Sequence, residues 1–237
     1  MFDREGPTFF ELARQAMSST EHGYDLIAPK FEHTPFRTPE PIVREIARRV
    51  GPVSAALDVC CGTAAAAVAL CAVCKDRVVG VDTSAGMLEV AAARLDAAPK
   101  SPRLRTELLR ADALDLPFVD EFDAAVCVGA FGHTEERDEP RFVASILRAL
   151  RPGGRFVFAT SGLPPWSSAS RILAEGFNAA MRVRNALWSP PFVMYYLTFL
   201  WPKVRGRLLA AGFSQVEMTR GAFPEPFGRV LLVTATK

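Results

Sequence analysis

From residue 55 onward, short apolar runs alternate with longer stretches whose apolar residues recur at helical spacing. The runs near 55–59, 77–81, 105–110, 122–128 and 154–160 read as strands, and the stretches near 64–75, 85–96 and 138–150 as helices. Such alternation predicts a parallel sheet connected by crossover helices. Arg151-Pro152-Gly153-Gly154 is turn chemistry that ends one helix and launches the fifth strand. A further helix is expected near 203–211, stopped by Gly212, with two last strands near 213–219 and 229–236.

Two regions lie outside this alternation. Ahead of it, residues 7–19 carry a helical stripe of Phe9, Phe10, Leu12, Ala13, Ala16 and Met17, followed by a polar, aromatic link. Thr38-Pro39 reads as a helix cap with proline at the first position, starting a helix near 39–50 whose apolar residues are Ile42, Val43, Ile46, Ala47 and Val50. After the fifth strand, the stretch Leu163–Pro202 holds all three tryptophans, with Phe177, Phe192, Tyr195, Tyr196 and Phe199, and Glu175 as its only acid. It is expected to fold as a helical cap with an apolar pocket. A hairpin buried against the sheet or a second subunit is the plainer alternative. The expected organisation is an N-terminal helical cap over 1–50, an α/β core over 51–162, the aromatic insertion over 163–202, and a last helix and closing strands over 203–237.

Composition narrows the partners. The 237 residues are 49% apolar with a net charge of +2, so no general affinity for nucleic acid or anionic membrane is implied. The start, Met1-Phe2-Asp3-Arg4-Glu5, has acids and no apolar core, which argues against a secretory leader. The most apolar run, Phe192–Trp201, is about half of the ~20 residues that span a bilayer. A cytoplasmic protein without stable membrane insertion is expected, and a homodimer stays open. Five cysteines, an odd number, argue against a disulfide framework. Cys71-Ala72-Val73-Cys74 falls late in an expected helix and lacks two further zinc ligands, so structural thiols and no metal are expected.

Candidate chemistry sits at the strand ends. In Ala56-Leu57-Asp58-Val59-Cys60-Cys61-Gly62-Thr63-Ala64 an apolar strand ends on an acid, turns through glycine and enters a helix, the floor of a nucleotide-type pocket. The carboxylate of Asp58 would repel a pyrophosphate and favour a cationic ligand. Asp82, 24 positions on, follows the second strand and suits a ribose diol; Asp112, after the third, can accept from an exocyclic amine. Each could instead cap the next helix, but three acids at successive strand ends line the edge where open sheets bind ligands. His133 follows the fourth strand, where its pKa suits a general base on a phenol, enol or amine.

These segments resemble those of the class I S-adenosylmethionine-dependent methyltransferases. Leu57–Thr63 is similar to the family's first motif, Val81–Leu88 to its ribose-binding segment, Arg110–Phe118 to its adenine-binding segment, and Leu147–Gly154 to the turn before its fifth strand. The likeness is nearest to the quinone-type small-molecule methyltransferases, some of which share Asp-Val-Cys-Cys-Gly-Thr and something like Tyr24–Phe31 ahead of the sheet. It implies a doubly wound, mostly parallel seven-stranded α/β sheet of the Rossmann-like methyltransferase kind. It also implies S-adenosylmethionine held by Tyr24, Asp58, Cys60, Gly62, Asp82, Thr83, Met87, Asp112, Ala113 and Gly129, and methyl transfer to the O, C or N atom of a small apolar or aromatic acceptor. Trp188, Tyr195 and Tyr196 are the candidate acceptor contacts, and His133 the candidate catalytic group.

Two residues depart from the pattern. Cys60 and Ala64 stand where glycines are usual, and a methyl at Ala64 is expected to crowd the cofactor. A non-catalytic cofactor-binding homologue is therefore an alternative. A NAD(P)-dependent reductase is a weaker one, since Cys60 replaces the first glycine of G-x-G-x-x-G and Asp58 faces the phosphate site.

Overall fold

The computed structural model describes residues 5–237, so most of the segment read for a leader lies outside the described residues. Seven strands form one sheet in the order β3-β2-β1-β4-β5-β7-β6. They are β1 (Val53–Val59), β2 (Cys74–Asp82), β3 (Arg105–Arg110), β4 (Phe122–Cys127), β5 (Leu150–Thr160), β6 (Gln215–Thr219) and β7 (Leu231–Thr236). The first five pair in parallel, and β7 runs antiparallel between β5 and β6. The expected doubly wound, mostly parallel seven-stranded sheet is what the chain forms.

Both sheet faces are buried, and strand periodicity assigns each residue to one of them. Leu57, Val79, Ala125, Phe156 and Phe158 face α6 (Glu139–Ala149) and α8 (Lys203–Ala211), against Phe142, Ile146 and Leu208. Their strand neighbours Ala56, Val78, Ala124 and Val157 belong to the opposite layer, with α3 (Glu40–Val50), α4 (Ala65–Leu70) and α5 (Ala85–Ala97). This is why the central strands read as continuous apolar runs rather than alternating ones. Helix α3, expected with the N-terminal cap, buries Ile42, Val43, Ile46, Ala47 and Val50 on the sheet.

Three boundaries differ from expectation. Helix α4 ends at Leu70, and Cys74 opens β2 by pairing with Val53, so the two cysteines do not share a helix. Thr38 is not the α3 cap: Pro39 holds that position without a side-chain bond, and Thr38 is left to face the cavity described below. The polar link after α1 (Phe9–Ala16) is a second helix, α2 (Thr20–Ile27), running into a 3-10 turn over Ala28–His33. Ser19 caps α2 by accepting from the His22 N–H.

Candidate active site

The strand order reverses between β1 and β4, and open sheets of this kind bind ligands at such a switch point. A cavity of about 910 Å³ opens there, at the C-terminal ends of the parallel strands. Its floor is the β1–α4 turn. Cys60, Gly62 and Ala64 all have left-handed backbone, with φ of 56°, 50° and 64°. Two of the three are therefore not the glycine that such φ favours, and the departure noted in the sequence has a definite conformational meaning.

Ala64 is fully buried in the layer of α3 and α4 and does not line the cavity. Its methyl therefore packs within that layer rather than at the cavity wall. Ala64→Gly should relieve about 1 kcal/mol of left-handed strain but lose about 0.8 kcal/mol of methyl burial. The expected outcome is a near-neutral change in melting temperature and unchanged cofactor affinity, checked by thermal denaturation and calorimetry.

Asp58 ends β1 almost wholly buried, and its Oδ2 accepts from the Ala67 N–H in the first turn of α4 at 2.8 Å. Burial pushes its carboxyl up to about 7, with the nearby Asp82 charge acting in the same direction. Asp82 ends β2 with both oxygens engaged: Oδ2 accepts from the Gly62 N–H at 2.8 Å and Oδ1 from the Ser84 N–H at 3.0 Å. Its carboxyl also lies above the usual range, mainly through burial. Asp112 sits at the exposed rim, where it caps the short turn Ala113–Asp115 by accepting from Leu114 N–H. Capping and lining thus coexist at Asp112, since one oxygen suffices for the cap.

A cavity with a buried and a half-buried carboxylate on its floor, Asp58 and Asp82, is poised for a cation. The sign of the pH effect follows: the Asp58 proton is retained up to about pH 7, and a cation beside it favours the ionised form. Binding of a cationic ligand should therefore release a proton below pH 7, and affinity should fall as pH drops through that region. Calorimetry in buffers of different ionisation enthalpy measures the proton release.

The roof comes from the N-terminal segment. Asp25 on α2 accepts from Ser84 Oγ at 2.6 Å and from the Gly86 N–H at 2.9 Å, which fastens α2 onto the start of α5. Gly86 is needed for this approach, because a Cβ there would meet the Asp25 backbone at 3.0 Å. Glu32 completes the strap: its Oε1 accepts from Thr63 Oγ1 at 2.5 Å and from Arg94 Nη1 at 2.5 Å. These ties place the neighbouring Tyr24 ring over the cavity.

Tyr24 Oη lies 2.8 Å from His133 Nε2, and His133 Nδ1 lies 2.8 Å from the Val193 carbonyl oxygen. A carbonyl only accepts, so Nδ1 carries the proton and Nε2 accepts from the Tyr24 hydroxyl. Burial lowers the His133 pKa, partly offset by the Val193 bond and the Asp82 charge. Burial raises the Tyr24 phenol well above its ordinary value, with the Asp82 charge adding to it. The expected base is thus not open to a substrate on Nε2; its accessible partner is Tyr24.

The far wall is the insertion. Helix α7 (Ala169–Leu187) faces inward with Asn178 and Asn185, two turns apart. Asn178 pairs with both backbone groups of Tyr196, donating to its carbonyl and accepting from its N–H, each at 2.8 Å. Asn185 does the same for Phe192 and also donates to Tyr195 Oη. The two amides replace the ladder partners that the irregular segment 192–196 lacks. Tyr195 and Tyr196 line the cavity with Phe131.

Of the expected site residues, Tyr24, Asp58, Cys60, Gly62, Asp82, Thr83, Met87, Asp112, Ala113, Gly129, His133, Tyr195 and Tyr196 all meet at this cavity. Trp188 does not. It caps the C-terminal end of α7, more than half exposed, because the helix turns its asparagine face rather than this end onto segment 192–196. Glu32 and Thr38 were not foreseen, and Asp25 and Phe31 only as members of the segment Tyr24–Phe31. The five thiols are unpaired. Cys60 is held protonated first by its contact with Cys127 and then by burial, which leaves it no thiolate character. No group of metal-ligating side chains occurs among the described residues.

Residues 56–154 match the family model described as a methyltransferase domain. Demethylmenaquinone methyltransferases are among the similar curated proteins. The one from Bacillus cereus strain B4264 is 30% identical over 154 residues, and that of strain AH187 is 35% identical over the same length. Each alignment covers 64% of this chain and 62% of the relative, so the chain spans less than two thirds of the relatives it matches. Among solved structures, a Nostoc punctiforme PCC 73102 protein gives a TM-score of 0.65 at 17% identity, covering 97% of this chain and 67% of that one. N-methyltransferase NodS from Bradyrhizobium japonicum WM9 gives 0.54 at 16%, covering 84% and 93%. These structures share the fold. Sheet order and strand-end motifs agree with the family-model match, so residues 56–154 form a domain similar to the methyltransferase domain.

Proposed function

We propose that the chain transfers a methyl group from S-adenosylmethionine to a small or medium apolar, aromatic acceptor that loses a proton as it is methylated. One observation carries this reading: a single cavity joins the acidic floor at Asp58 and Asp82 to an aromatic wall bearing the Tyr24–His133 pair. The size suits both ligands, since pockets for small molecules run to about 1,000 Å³. The acidic floor fits a cofactor that carries a sulfonium and an ammonium, and Asp82 and Asp112 fit its ribose and adenine. Bound there, the cofactor supplies a methyl group activated by positive sulfur.

The protein's own part is orientation, exclusion of water and the handling of one proton. Tyr24 Oη donates to His133 Nε2, so its lone pairs are free to accept from an acceptor hydroxyl. As the new bond to carbon forms, the acceptor's proton passes to Tyr24 Oη while the phenol proton passes to His133 Nε2. The resulting imidazolium keeps its Nδ1–H on Val193 and is stabilised by the Asp82 charge. Tyr24 thus touches the acceptor, and His133 acts through it. Quinols and phenols fit this chemistry, and the likeness to demethylmenaquinone methyltransferases supports acceptors of that type. The test is label transfer from methyl-labelled S-adenosylmethionine to a series of phenols, quinols and amines. Transfer to phenols or quinols, with Tyr195→Ala and Tyr196→Ala raising acceptor KM more than cofactor Kd, is the expected result. Absence of transfer to any acceptor despite tight cofactor binding would favour a non-catalytic homologue.

A further inference from the structure

We propose that the outer face of α7 is the contact surface for a second copy of this chain, with the two α7 helices antiparallel about a two-fold axis. The inner face is accounted for by Asn178, Met181 and Asn185. On the opposite side Ile172, Leu173, Gly176, Ala180, Val183 and Leu187 are all exposed. At about 100° per residue they fall within one arc of about 100°, an apolar stripe that runs the length of the helix. The four large side chains are each more than half exposed. A Cβ on Gly176 would meet nothing, so the middle of the stripe is open to close approach by another backbone.

The charges choose the occupant and its direction. Glu175, bonded along its own helix to Arg171, and Arg182, whose guanidinium lies over the Tyr195 ring, are both exposed and flank the same edge of the stripe, two turns apart. In a parallel two-fold pair the same edges lie on opposite sides of the seam, so Glu175 and Arg182 would not meet across it. In an antiparallel two-fold pair centred between Asn178 and Ala179, the same edges of both helices meet, and Glu175 stands opposite Arg182 of the second copy, twice. That register sets Ile172 and Leu173 against Val183 and Leu187 of the second copy, with the small residues in the middle. Large ends and a small centre are self-complementary, as an isologous contact requires. A bilayer surface fits less well. Arg171 is taken up by Glu175 at 2.7 Å, and Arg184 is turned inward onto the Ser18 and Pro190 carbonyls, so the basic rim that an anionic membrane needs is mostly spent within the chain. The contact also bears on the cavity, because α7 carries the asparagines that hold segment 192–196.

Sedimentation velocity of the full chain tests this, with melting curves to confirm that each variant is folded. The unsubstituted chain should be a dimer at micromolar concentration. Glu175→Arg and Arg182→Glu should each weaken dimerisation by about tenfold or more, as like charges then face each other, and the double variant should restore it. Val183→Glu, or Ala180→Lys should the first variant unfold, should give monomers. A monomer at all concentrations would overturn the proposal. So would a dimer that Val183→Glu and Ala180→Lys leave intact, or single charge variants that the double swap fails to rescue. Binding of monomers to phosphatidylglycerol vesicles, lost in Val183→Glu, would assign the face to a membrane instead.

Discussion

Tyr24→Phe should lower the rate of methyl transfer by about a hundredfold or more while leaving cofactor affinity nearly unchanged. Removal of a positioned proton acceptor typically costs 10²–10⁴-fold, and phenylalanine keeps the ring that roofs the cavity. The sign of the pH dependence is fixed by His133. Burial lowers its pKa, so it is neutral and able to receive the phenol proton above a value that lies below the ordinary histidine range. The rate in the unsubstituted enzyme should therefore fall on the acid side as His133 becomes protonated, and Tyr24→Phe should abolish that limb. His133→Gln should lower the rate as well, with the same loss of the limb, since the relay ends there. Rate–pH profiles at saturating cofactor check both. A variant with full turnover and an unchanged profile would leave Tyr24 as a lining residue only.

Asp82→Ala should weaken S-adenosylmethionine binding by about 30- to 150-fold, the equivalent of roughly 2–3 kcal/mol for a lost charge-assisted contact. The structure adds a reason beyond the ribose. Asp82 accepts from the Gly62 and Ser84 N–H groups, so its loss frees the turn that forms the cavity floor and the start of α5. Asp82→Asn keeps an acceptor oxygen but not the charge, and should fall between the two. Calorimetric Kd values with melting temperatures alongside separate lost contact from lost fold.

Much of the sheet was legible because its strands are apolar on both sides and bounded by turns. Every expected strand is present, and β1, β3 and β4 start or end within two residues of expectation. The boundaries that moved are those decided by pairing across the sheet: Cys74 joins β2 through Val53, and β5 begins at Leu150 through Phe122. Helix α2 was not legible. Its sequence holds Gly23 and runs into Pro29, and its place depends on Asp25 reaching Ser84 and Gly86, a contact 59 and 61 residues away. The three aspartates were placed correctly, since an acid after a strand is a local pattern. That Asp58 and Asp82 also organise backbone N–H groups depends on the turn's left-handed residues, which the identities of Cys60 and Ala64 conceal. Trp188 shows the limit of composition: aromatic richness located the insertion, but not which face of α7 turns inward. The pairing of Tyr24 with His133 joins residues 109 apart and leaves no local trace.

The most direct test of the acidic-floor reading is a calorimetric titration of the chain with S-adenosylmethionine and, separately, with NADH at pH 6 and pH 8. One-site binding of S-adenosylmethionine, tighter at pH 8 and releasing a proton at pH 6, with no binding of NADH, is the predicted result. Binding of NADH without S-adenosylmethionine would contradict the account.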